Sequence, residues 1–142
     1  MGKTFKYQNE IDNMLNKGFS MPHLQAIDVM DSFRFVFCNN EAYSNLPVYV
    51  MKPKRQLKNP TVNGFALSCY TDAQKAEEKY NKILESVPNF VKTGGDSLAE
   101  IILDANDGMV TEPTEEYTHF SLFEYSSCDL NKKMHIRKNF EI

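Results

Sequence analysis

"GFALSCYTDAQKAEEKYNKIL", residues 64–84, reads as a strand that runs straight into a helix, and it decides the fold class. Residues 65–70 are an apolar run rich in β-forming side chains. Thr71 followed by Gln74 predicts a capping box, in which the threonine hydroxyl accepts from the Gln74 amide and the glutamine reaches back. Asp72 in the first turn, and Lys79 and Lys82 further on, suit the helix dipole. Ala73, Ala76, Tyr80, Ile83, Leu84 and Val87 form one apolar stripe, and Pro88 ends it.

Upstream, "SFRFVFC" (32–38) alternates as a strand, with Phe33, Phe35 and Phe37 on one side and Arg34 and Val36 on the other. "VYVM" (48–51) reads as a short strand. "KPKRQLKNP" (52–60), bracketed by prolines and basic, reads as an exposed loop. Residues 5–17 carry Tyr7, Ile11, Met14 and Leu15 on one helical stripe, with Thr4 as a possible N-cap and Gly18 just past the end. "HLQAIDVMDS" (23–32) fits a short helix or an extended chain equally.

Downstream, "LAEIILD" (98–104) is a strand and "NDG" (106–108) a turn, so "MVTE" (109–112) is expected to pair back as a hairpin arm. "YTHFSLFEY" (117–125) alternates cleanly, and the basic tail has room for a last short strand. Single helices between runs of strands predict one α+β domain over residues 1–142. Its sheet is expected to be mostly antiparallel or mixed, with five to six short strands and two main helices.

The chain has 142 residues, 42% hydrophobic and 25% charged, with a formal net charge of -3. That total does not suggest nucleic acid as a partner. Cys38, Cys69 and Cys128 lie far apart, which argues against a disulfide framework or a zinc knuckle. The first residues carry no signal-peptide pattern, Lys6 replaces the Ser or Thr of a myristoylation signal, and no apolar run reaches membrane-spanning length. The expectation is a cytoplasmic chain without a membrane anchor.

Charge is unevenly spread. Residues 93–131 hold nine acids and no Lys or Arg, while the rest of the chain holds all 16 bases and the other 10 acids. Such a segment is expected to present an acidic face to a protein partner with a basic surface. Glu112, Glu115 and Glu116 are its densest part, with Tyr70 and His119 as further contact residues. Phosphate-loop, nucleophile-elbow and zinc-protease motifs are absent from the sequence, and His119 with Glu116 or Glu124 lacks a spaced third ligand. No resident cofactor or metal is expected on this reading.

Three strand residues suggest a second reading. Arg34 in "FRFVF", Ser68 in "FALSCYT" and Glu124 in "LFEY" follow one another in an order that resembles the Arg–Ser–Glu pattern of the ADP-ribosyltransferases. The resemblance implies an enzyme that uses NAD as its cofactor. Arg34 would hold phosphate, Ser68 would order the nicotinamide ribose, and Glu124 would stabilise positive charge growing at the ribose. The chain departs from that family in having Cys69-Tyr70 after the serine and Leu122 two residues before the glutamate. The layout also resembles small bacterial and phage-type proteins with a strand–"LS-x-Y"–helix unit, a likeness that names no activity.

Overall fold

In the computed structural model, residues 3–39 and 44–140 are described. Seven strands form one antiparallel sheet: β1 (Gln25–Ala26), β2 (Met30–Val36), β3 (Leu67–Tyr70), β4 (Ser97–Leu103), β5 (Gly108–Val110), β6 (His119–Glu124) and β7 (His135–Asn139). Their order across the sheet is β1-β5-β6-β3-β2-β4-β7. Four α-helices lie among the described residues: α1 (Gln8–Asn16), α2 (Val48–Met51), α3 (Ala73–Ser86) and α4 (Phe90–Thr93). The α+β class and its two main helices, α1 and α3, match the sequence reading. The sheet has seven strands against the five to six expected; β1 lies in the stretch 23–32 that fitted a short helix or an extended chain equally.

The sheet is buried on both faces. On one face, Leu67, Cys69, Phe120, Leu122 and Ile101 form a core closed by Cys128, Leu130 and the partly buried Met134. On the other, α3 packs Ala76 against Phe33, Tyr70 and Leu98. There Phe123 joins Ile11 and Met14 of α1, with Tyr49 and Phe65. Tyr80 of α3 is fully buried, donates its hydroxyl to Gly95 O at 2.8 Å and stacks on Phe140 at 3.7 Å. Burying a ring of that size contributes about 2–3 kcal/mol, provided its hydroxyl keeps a partner, as here.

Four local expectations are corrected. The cap of α3 is Asp72, whose side chain accepts from Lys75 N at 2.9 Å. Thr71 is tied to the β6 side instead, its amide donating to Thr118 O and Thr118 Oγ1. Residues 48–51 are helical rather than a strand. Pro47 starts the turn, and Tyr49 then points into the core against Phe65, accepting from Thr61 N through its hydroxyl. Residues 53–57 of the expected loop form an exposed 3-10 helix. Finally, β5 does not pair back on β4. Asp107 accepts from Asp104 N in the intervening turn, and the chain then crosses the sheet so that β5 lies between β1 and β6.

At the other end of the sheet, α1 begins at Gln8, not near Thr4. Residues 4–6 run along the end of β6: Phe5 bridges Tyr125, and Lys6 N donates to Glu124 O at 2.8 Å. Thr4 Oγ1 spends its hydrogen bond on Ser126 at 2.9 Å and so caps nothing.

Candidate functional site

Ser68, Tyr70, Glu116 and His119 come together at one groove. The register places Tyr70 opposite His119 and Ser68 opposite Ser121, so Ser68, Tyr70 and His119 share a face of adjacent strands β3 and β6. The rings of Tyr70 and His119 meet edge to face at 5.4 Å. The loop between β5 and β6 adds Thr114, Glu116 and Tyr117, and α3 adds Lys79, enclosing about 440 Å³. Lys79 Nζ stands 5.1 Å above the centre of the Tyr117 ring, within the range of a cation–π attraction.

Backbone strain is stored at the groove wall. Thr118, between Tyr117 and His119, has φ +58°, a left-handed conformation that costs a β-branched residue about 1–2 kcal/mol. Two acceptors of Thr118, its carbonyl and its hydroxyl, hold Thr71 N at 3.1 and 3.2 Å and fix the loop against the start of α3. Burial, and then the charge of Lys79, push the His119 imidazole below its ordinary pKa. Burial raises the Tyr70 phenol to about 12, so it stays a hydrogen-bond donor at physiological pH.

The nine acids of 93–131 divide sharply. Glu100 pairs with Arg137, Asp104 and Asp107 with Lys133, Glu124 with Lys6, and Asp129 with Lys132. Asp96 accepts from Cys38 N and Ser97 Oγ. Glu112, Glu115 and Glu116 are exposed and enter no ion pair among the described residues. The acidic face therefore contracts to these three side chains of the β5–β6 loop, of which Glu116 lines the groove.

Arg34, Ser68 and Glu124 do not meet at one point. Arg34 and Glu124 lie on the sheet face that carries Cys69, since Arg34 is opposite Ala99 and Glu124 is in phase with Phe120 and Leu122. Both act on the Cys69 thiol: burial lifts it to about 11, Arg34 pulls it down and Glu124 pushes it up. Ser68 points from the opposite face. Glu124 lies three residues along β6 from Ser121, the partner of Ser68, a separation of about 10 Å of strand.

Arg34 and Glu124 are also committed locally. Arg34 is buried and donates through Nε to Asn45 Oδ1 at 3.0 Å, through Nη1 to Ser68 O at 2.6 Å, and through Nη2 to Ser44 O at 3.0 Å. Glu124 is 4% exposed and lines a separate cavity of about 200 Å³ with Lys6, Tyr7, Asn45 and Asn131. Its Oε2 accepts from Lys6 Nζ at 2.8 Å, while Oε1 is fully enclosed without a hydrogen-bond partner among the described residues. Burial first, and then that carboxylate, push the Tyr7 phenol and the Cys128 thiol up.

Lys6, Lys79 and Thr114 carried no signal as site residues. Tyr117 had a weak one, because it stands two residues before His119 in an alternating run. Among the described residues, no cluster of three or more His, Cys, Asp or Glu is placed to hold a metal ion, and no helix is long and apolar enough to cross a membrane. No protein-family model matches the chain, and no curated protein or solved structure matches it either.

Proposed function

We propose that the protein is a binding module that captures a basic segment of a partner protein in the groove between Tyr70, Tyr117 and His119. The observation that carries this reading is the uncompensated charge at this edge: Glu112, Glu115 and Glu116 are exposed and enter no ion pair among the described residues, and Glu116 lines the groove. The Tyr117 ring face accepts a positive group, and an incoming arginine would stack on the same aromatic wall. Lys79 Nζ, 5.1 Å from the centre of the Tyr117 ring, is the cation that an incoming arginine would displace there, drawn by the opposing charge of these three carboxylates. The strained Thr118 beside them supports the same location, since strain of this kind gathers at functional surfaces.

The NAD-using reading has weaker support. A single nicotinamide ribose would have to reach the Ser68 hydroxyl on one face and the Glu124 carboxylate on the other.

A fluorescein-labelled peptide with three arginines spaced by glycine and serine, and its glutamate counterpart, test the proposal by fluorescence anisotropy. The arginine peptide is expected to bind and to weaken as salt rises. Reversing Glu112, Glu115 and Glu116 to lysine should abolish binding, and Tyr117→Ala should weaken it roughly fivefold. Unchanged binding by the triple variant overturns the proposal.

A further inference from the structure

Strands β2 and β3 are neighbours, yet they pair at one position, Phe33 opposite Tyr70. Beyond that pair they splay. Arg34 spans the gap, its Nη1 taking the Ser68 carbonyl that a ladder amide would otherwise satisfy. The fork opens into a cavity of about 270 Å³, room for about nine water-sized groups at about 30 Å³ each. Its wall is largely apolar: Phe35, Val48, Met51, Leu67 and Phe90 line it.

The charge of this cavity is one-sided. Arg34, Lys52 and Arg55 line it, and no acidic side chain does so among the described residues. Lys52 is fixed across it by a bond from Nζ to Thr93 O at 3.3 Å. Arg55 is exposed and enters no ion pair among the described residues. Arg34 places three of its five N–H groups on protein oxygens, so one N–H on each terminal nitrogen is not taken up by an oxygen of the described residues. The basic stretch 52–58 thus delivers two of its cations to a pocket.

We infer that the β2–β3 fork binds a small amphiphilic anion, an apolar ring or short chain bearing a carboxylate or phosphate head. The apolar walls take the body. The head meets three cations in a concave, partly desolvated site, where charge-assisted hydrogen bonds are strongest. The inference is independent of the peptide groove, which favours the opposite charge.

The test is an NMR titration of the ¹⁵N-labelled full chain with benzoate and with phenyl phosphate, using benzyl alcohol and benzylammonium as probes of the same shape. Benzoate, phenyl phosphate or both should shift the amides of Phe35, Met51, Ser68 and Thr93, well beyond either control. The stronger of the two anions identifies the head group. Arg55→Gln, at an exposed position, and Lys52→Gln, checked for an unchanged fold by its amide spectrum, should each weaken binding roughly threefold to fivefold. Equal shifts from benzyl alcohol overturn the inference, as do anion shifts that survive both substitutions together, or no shift from either anion.

Discussion

Arg34 Nη1 lies 2.6 Å from the carbonyl oxygen of Ser68, a side chain standing in for a strand where β2 and β3 part. The same guanidinium reaches Ser44 O and Asn45 Oδ1. It therefore ties the segment before α2 to the middle of the sheet, and the fork is held open rather than merely unfilled.

Arg34→Met keeps the length of the side chain and removes every donor. Three acceptors lose their partner at about 1 kcal/mol each, so the variant is expected to lose about 3 kcal/mol in urea denaturation. Arg34→Lys should recover part of that, since one ammonium cannot match the planar fork of contacts. A midpoint unchanged in Arg34→Met would show that the network contributes nothing net.

Lys6 and Glu124 make a second buried relationship with a testable asymmetry. Lys6 Nζ also donates to Cys128 O at 2.8 Å, so it keeps a partner if the carboxylate is neutralised. Glu124 has no such reserve among the described residues, because its Oε1 has no hydrogen-bond partner there. Lys6→Met is expected to cost about 3 kcal/mol by leaving a buried charge unpaired, and Glu124→Gln less. The double variant Lys6→Met/Glu124→Gln should be more stable than Lys6→Met alone. A double variant as unstable as the summed singles would rule out coupling between the two.

The parts of this fold that were legible in sequence are those fixed by local periodicity. The stripe through Ala76 and Tyr80 gave α3, and the alternation of residues 119–124 gave β6. What was hidden depended on partners distant in sequence. Nothing in 109–112 tells that β5 meets β6 instead of β4. Nothing in "VYVM" tells that Tyr49 is needed against Phe65, and that contact decides between strand and helix. The Arg34 network was invisible because two of its acceptors are backbone carbonyls, which every residue has. Glu112, Glu115 and Glu116 were legible as charge. That the other six acids of the segment are absorbed by the fold was not.

The three thiols should separate by reactivity. Cys69 is buried with its pKa lifted to about 11, and Cys128 is buried and lifted further. Only a thiolate attacks an alkylating reagent, so both should resist iodoacetamide in the native state. Cys38 is half-buried and should be the first modified. Peptide mapping after brief treatment at mild alkaline pH is expected to find the label at Cys38. Early label at Cys69 would contradict the enclosed face described for it.

His119 gives the groove a pH dependence of defined sign. Its imidazole faces Tyr70 from β3 and Lys79 from α3, and shares the groove with Glu116 of the β5–β6 loop. Burial and then Lys79 lower its pKa in the folded chain, so between that value and the unfolded value of about 6.5 the unfolded state binds more protons. Stability then rises with pH through this window, and the contribution of the neutral imidazole is lost as pH falls below about 6.5. His119→Gln should flatten that slope in urea midpoints measured from neutral to mildly acidic pH. Lys79→Met should move the imidazole titration part of the way back up, as followed by its ring proton resonances, with burial still holding it low. An imidazole that titrates at or above the free-histidine value would remove Lys79 and burial as the forces acting on this side of the groove.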